Sequence, residues 1–245
     1  KCLPSRSPGG ARRREWQAGR LHSWLLPAQP AQLRVAAQTA AQLETLLRDA
    51  PDASIITPGD HVYENGTAQE YSDCYSPTWG RFKQKTFPAP GNHDYHTPLA
   101  ASYYDYFGAR AGPERRGYYS FDVAGWHVVS LNSNIADDNG AEQIKWLRED
   151  LAASNTRCTI AYWHHALFTS SLRGNNRMMK TAWKILHEAG ADIVLSAHDH
   201  HYERFIPQDA EGNADITRGV REFLVGTGGA NLSQVTDPPR QNSEV

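Results

Sequence analysis

Apolar residues recur at helical spacing across 33–49, where Leu33, Ala36, Ala40, Leu43, Leu46 and Leu47 fall on one face, and Asp49-Ala50-Pro51-Asp52 ends the run. Ser54-Ile55-Ile56-Thr57 then reads as a short buried strand broken by Pro58-Gly59. A long aromatic and polar loop follows, holding Asn65-Gly66, and Phe87 precedes the punctuation Pro88-Ala89-Pro90-Gly91. The stretch 99–107 predicts a helix stopped by Gly108. Two strands, 118–123 and 126–131, are joined as a hairpin at Ala124-Gly125. A helix is predicted over 142–151, with Ile144, Leu147 and Leu151 on one face. A strand over 159–163, a helix over 178–188 ending at Gly190, and strands over 192–196 and 222–225 complete the pattern. No internal repeat is present, and the strand–helix alternation of the second half predicts a layered α/β domain.

The flanks differ from this core. Residues 1–32 are rich in Pro, Gly, Ser and Arg, with Arg12-Arg13-Arg14 and Glu15 as the sole acid, and read as an irregular basic segment. A nucleic-acid arm is the sharper alternative, but no aromatic interleaving supports it. After Gly229 the composition turns polar, so 33–230 reads as the domain and 231–245 as a polar tail.

Composition excludes more than it assigns. A formal net charge of −2 gives no general attraction to nucleic acid or membrane surfaces. No apolar run reaches the length of a membrane span. Eleven histidines against three cysteines tilt any metal site towards nitrogen and oxygen donors. Cys158 reads as a buried thiol, and a Cys2–Cys74 bridge stays open.

The chemistry is concentrated in polar clusters placed just after apolar strand-like runs: Gly59-Asp60-His61-Val62-Tyr63, Gly91-Asn92-His93-Asp94, His164-His165 and His198-Asp199-His200. Each alone is weak, since Gly-Asn and Gly-Asp are turn material and a lone His after a strand is usually structural. Their coincidence at strand ends points to one shared site, because ligands bind at the carboxyl ends of strands in open α/β sheets. Two cations held ~3.5–4 Å apart need a bridging carboxylate, for which Asp60 is the candidate. His198 and His200, two residues apart in an extended loop, can reach adjacent metals. A phenolate from Tyr63 suits a trivalent iron.

Written as GDHVY, GNHD, YWHHA and AHDHHYER, with a GTGGA segment at 226–230, these clusters resemble the calcineurin-like metallophosphoesterases, and specifically the purple acid phosphatase branch of bacterial type. The resemblance spans roughly residues 35–230. It implies a four-layer α/β/β/α sandwich and a dinuclear centre of iron with zinc, manganese or a second iron. Asp60 would bridge the metals, Tyr63 and His200 would bind the iron-type site, and Asn92, His164 and His198 would complete the other. His93 would stand beside the substrate phosphate as hydrogen-bond donor or leaving-group acid. The implied partner is a small phosphate-ester substrate, a monoester first and a diester as the alternative, hydrolysed by a metal-bound hydroxide. An extracellular or periplasmic setting is implied, with no signal peptide visible; oligomeric state is not legible.

The pattern departs from that family at three places. Its first strand ends in a metal-binding aspartate, whereas no Asp precedes Asp49 here, so the first strand and one carboxylate are expected to be missing. The loop after His164-His165 reads Ser170-Ser171-Leu172-Arg173-Gly174 without a further His, leaving Arg173 as the candidate anion contact. The strands that usually follow GTGGA are likewise expected to be missing. A domain that has lost competent chemistry and binds one metal or none is therefore the alternative to a working hydrolase. Among the remaining residues, His61, His187 and His201 read as supporting or surface groups, His165 as a neighbour of the metals, and His96 as structural. Glu203-Arg204 reads as an ion pair, and Trp126, Trp146 and Trp183 as packing.

Overall fold

The computed structural model describes residues 31–135 and 138–245, so the basic segment 1–30 lies outside the described residues. Helix α1 (Ala31–Asp49) leads into strand β1 (Ile55–Pro58). A single turn α2 (Ala68–Glu70), capped by the Thr67 hydroxyl and the returning Glu70 carboxylate, opens the long loop before β2 (Thr86–Ala89). Then come α3 (Ala101–Phe107), β3 (Tyr119–Val123), β4 (Trp126–Ser130), α4 (Asp138–Ala153), β5 (Cys158–His165), α5 (Lys180–Ala189), β6 (Ile193–Ala197), β7 (Tyr202–Arg204) and β8 (Arg221–Val225).

Two sheets form. β1 and β2 pair in parallel, and a mixed sheet runs in the order β3-β4-β5-β6-β8-β7, with β4, β5, β6 and β8 parallel at its centre. Side-chain alternation decides what each face meets. Ile160 and Tyr162 of β5 turn inward, packing with Ile56 and Phe87 of the two-stranded sheet. Ala161 and Trp163 turn outward, packing with Leu147 of α4 and with Trp183 and Leu186 of α5. α5 stops at Gly190, whose left-handed backbone (φ 79°) returns its amide to the last carbonyls. The result is the sheet-on-sheet α/β architecture, with helices outside.

Several boundaries differ from the sequence pattern, for local reasons. Leu99 and Ala100 have φ of 53° and 51°, so α3 starts only at Ala101. β2 escaped notice because Pro88 lies inside it; among the described residues it pairs only with β1, and an edge tolerates a missing N–H. β7 has three residues and no periodicity to read. Cys158 is disulfide-bonded rather than a buried thiol, and the Cys74 thiol is free, so no Cys2–Cys74 bridge forms. Glu203 and Arg204 point to opposite faces: Glu203 binds Ser170 and His201, while Arg204 pairs with Glu244 at 2.7 Å. Residues 231–245 do not trail away. The Thr236 amide donates to the Ser170 carbonyl at 2.7 Å, and Glu244 bridges Arg204 and Arg221.

Candidate metal centre

β1, β2, β5 and β6 all deliver their carboxyl ends to one edge of the molecule, and the four sequence clusters sit there. The β1 loop brings Asp60 in a left-handed conformation, φ 53°, that a non-glycine residue adopts at a cost of about 1–3 kcal/mol. Gly59 and Gly91 let the two loops touch, since a Cβ on Gly91 would lie 2.2 Å from the Asp60 amide nitrogen. The parity of β5 sends His164 to the inward side with Tyr162, where its Nδ1 donates to the Pro58 carbonyl at 2.8 Å. β6 ends in Ala197, and His198 turns the chain at φ 65°. His200 donates from Nδ1 to the Asn231 carbonyl at 2.8 Å, and its amide is held by Ser233 Oγ at 2.9 Å.

Two corners result, sharing one carboxylate. In the first, His164 Nε2 lies 3.2 Å from Asp60 Oδ2, 3.0 Å from Asn92 Oδ1 and 3.1 Å from His198 Nδ1, while Asn92 Oδ1 and His198 Nδ1 are 2.9 Å apart. In the second, Tyr63 Oη lies 3.4 Å from Asp60 Oδ2 and 3.3 Å from His200 Nε2. The other Asp60 oxygen accepts the His93 amide at 2.9 Å.

The donor set fits a pair of cations. Carbonyl, carboxylate and imidazole lone pairs crowded at these distances repel unless positive charge lies between them. Metal bonds of ~2.0–2.2 Å in tetrahedral or octahedral sites put ligand atoms about 3.0–3.5 Å apart, which is the spacing observed. Burial opposes charge on both Asp60 and His164, yet their mutual attraction wins: the Asp60 carboxyl is held well below the usual range, and His164 is raised. Burial, with the charge of His164 next to it, pushes His198 down to about 4 and His165 down to about 3, so both are neutral imidazoles at neutral pH. Burial and then Asp60 raise the Tyr63 phenol, a direction that a Lewis-acidic metal would reverse.

The remaining predicted residues lie around these corners. His93 packs beside Tyr63 with the rings tilted, 4.6 Å between centroids, and its Nδ1 meets the Glu64 carbonyl at 2.7 Å. His165 stands 4.6 Å from the His198 ring and is anchored through Nδ1 to Ser133 Oγ at 2.9 Å. Arg173 reaches over from its loop, Nη1 lying 3.3 Å from His198 Nε2. His96 shares the Glu64 carbonyl with His93, at 2.6 Å.

Asp94 is the organiser that sequence reasoning passed over. Fully buried, it accepts from the Gly91 amide (2.8 Å), the Asp60 amide (3.2 Å), His61 Nδ1 (3.1 Å) and the Tyr71 hydroxyl (2.6 Å). It thereby clamps the loops carrying Asp60 and Asn92 to each other and backs them with the aromatic cluster of Tyr71, Tyr75, Tyr103 and Phe107. Its signal was its place in GNHD; its role needed the fold. A cavity of about 440 Å³ opens onto both corners, reaching His164 and His198 as well as Tyr63 and His200, and is walled by Leu33 and Ala36 of α1, Ile56 of β1, Trp79 and the 225–230 segment.

Residues 21–202 match the calcineurin-like phosphoesterase family. The chain belongs to that family. Its relatives place it on the purple acid phosphatase branch: purple acid phosphatase 15 of Arabidopsis thaliana is 31% identical, over 68% of this chain and 38% of that protein. The chain thus spans well under half the length of this relative. Among solved structures, the purple acid phosphatase PPD1 of yellow lupin (Lupinus luteus) superposes with a TM-score of 0.65 at 18% identity, over 88% of this chain and 43% of that one. GAP50, the anchor in the inner membrane complex of Plasmodium, shares the fold with a TM-score of 0.64 at 11% identity, over 89% and 74% of the two chains.

Proposed function

We propose that this domain hydrolyses phosphoric esters, monoesters foremost, with two cations held by the corners that Asp60 joins. One observation carries the reading: Asp60 Oδ2 lies within 3.4 Å of both His164 and Tyr63, so a single carboxylate touches both donor groups. In this reading Asn92, His164 and His198 hold one ion, Tyr63 and His200 the other, and Asp60 both. Iron suits the Tyr63 corner; zinc, manganese or a second iron suits the other. Bound there, such a pair supplies the Lewis acidity that makes water a nucleophile near neutral pH.

The chain's own residues do the rest. Asp60 holds the two sites in register and takes the His93 amide, which aims that ring across the mouth of the site. His93, partly exposed, stands where a phosphate oxygen or leaving group would arrive and hands it a proton or a hydrogen bond. His165 and Arg173 add donors on the same side, so the anion is met by nitrogen donors around its rim. The test is metal content of the purified chain paired with hydrolysis of an aryl phosphate. About two metals per chain with turnover supports the reading; metal-loaded protein without turnover sinks it.

A second reading has its own observation. The Tyr63 corner offers three protein donors, Asp60 included, against four at the other. On this reading the domain holds one cation and serves as a binding module. One metal per chain and no turnover would select it.

A further inference from the structure

Two kinds of surface meet the metal centre. His93, His165 and Arg173 present nitrogen donors, and none of them lines the cavity of about 440 Å³. The cavity wall is instead apolar, built from Leu33 and Ala36 of α1, Ile56 of β1, Trp79 and Val225. Among the described residues no Lys, Arg or Glu borders it, and its sole carboxylate is Asp60 of the centre itself. Three of its threonines add little polarity, because their hydroxyls are spent on the protein. Thr39 donates to the Val35 carbonyl at 3.1 Å, Thr78 donates to the Cys74 carbonyl at 2.7 Å, and Thr57 meets His61 Nε2 at 2.9 Å. A Cβ on Gly229 would lie 3.2 Å from Ala36 Cβ, so glycine there lets the 225–230 segment and α1 meet and close the wall.

We infer that this cavity takes the organic group of the substrate, and that the substrates are phosphate monoesters of apolar alcohols. The inference rests on the hydrolase reading above and names its substrate class. The volume falls within the ~300–1,000 Å³ of small-molecule pockets, which are mostly apolar with a few placed polar groups. Here those groups are chiefly the donors Asp60, Tyr63, His164, His198 and His200, so polarity is concentrated where a phosphate would meet the cations. The phosphate oxygens then face the nitrogen donors while the carbon chain enters the apolar wall. A charged or hydroxyl-rich organic group would give up its water there without a partner to replace it. An apolar group gains by the same move. The bond changes are those of hydrolysis: the phosphorus–oxygen bond to the alcohol breaks, the water oxygen joins phosphorus, and one water proton leaves with the alcohol.

The test titrates the full, zinc-loaded chain by calorimetry with n-alkylphosphonates, whose carbon–phosphorus bond is not hydrolysed. Affinity is expected to rise roughly two- to fourfold per added methylene from methyl to hexyl, with an increasingly negative heat capacity of binding. Leu33→Asp charges the cavity and Thr39→Phe fills it, and neither residue is a metal donor. Both variants are expected to lose about tenfold in hexylphosphonate affinity and to keep the wild-type affinity for methylphosphonate, which also reports that each is folded. In turnover, kcat/KM for hexyl phosphate is expected to exceed that for ethyl phosphate by more than ~10-fold, the two alcohols being alike as leaving groups. Equal affinities along the series, or variants that leave hexylphosphonate binding unchanged, would overturn the role of the cavity and leave the hydrolase reading standing. No binding of methylphosphonate or orthophosphate, with no ester turned over, would remove both.

Discussion

The two halves of the site are built to different standards. The Asn92–His164–His198 corner is walled by strand ends, with His164 and Asp60 side chains only 1% and 4% exposed, and four protein donors lie within 3.2 Å of a neighbour in the set. The Tyr63–His200 corner has looser contacts of 3.3 and 3.4 Å and one donor fewer. The difference teaches that burial within a finished sheet pre-organises a metal site, whereas a loop-borne site needs more donors to reach the same affinity. The tighter corner is expected to fill first.

Removing the shared element tests the comparison most severely. Asp60→Ala is expected to cut phosphate-ester turnover more than ~100-fold, beyond what loss of a supporting residue costs, and to lower metal content to one ion or fewer. Near-normal turnover in that variant would break the assignment. Asp94→Ala acts one layer back. It orphans the Gly91 and Asp60 amides, His61 and the Tyr71 hydroxyl, so a loss of at least ~3 kcal/mol of folding stability is expected along with weaker binding at both corners. Denaturant unfolding with and without metal separates the two contributions.

Selective variants sharpen the contrast. Asn92→Ala should abolish the tight zinc site, whereas Tyr63→Phe should spare it and weaken only the second ion by roughly tenfold. With iron, the wild type is expected to show a visible charge-transfer band that Tyr63→Phe lacks; a coloured Phe variant would refute the phenolate ligand.

The smallest effect on the site is expected from Glu222, a fully buried residue of β8. Burial pushes its carboxyl up to about 8, against hydrogen bonds from Ser196 and the Phe168 amide. The unfolded chain ionises near 4.5 and the folded one only near 8, so this group's stabilisation is complete below the lower value and lost as pH rises through the window. A fall of roughly 1–3 kcal/mol between pH 5 and pH 8 is expected, allowing for relaxation, and Glu222→Gln should flatten it while leaving zinc affinity unchanged. A Gln variant with the wild-type slope would show that the carboxyl does not titrate there.

How much was legible follows from how local each signal is. Periodicity and punctuation marked α1, β1, the β3–β4 hairpin, α4, β5, α5, β6 and β8 to within a few residues, because those segments face one environment along their length. β2 and β7 were too short and too broken to leave a period. The position of Asp60, Asn92, His164 and His198 at strand ends was readable because an apolar run precedes each one, with a glycine beside Asp60 and Asn92. Asp94 was not, because its four partners come from loops and a helix-like turn up to 34 residues away.

By itself the sequence determined the chemical kind of the site, a nitrogen- and oxygen-donor centre gathered at the ends of parallel strands, because residue type and strand termination are properties of neighbours in the chain. Only the tertiary structure decided which donors share an ion, which nitrogen each histidine presents, that Arg173 faces His198, and that residues beyond 230 cradle His200. Those are distances and hydrogen bonds between segments whose approach depends on every element packed between them.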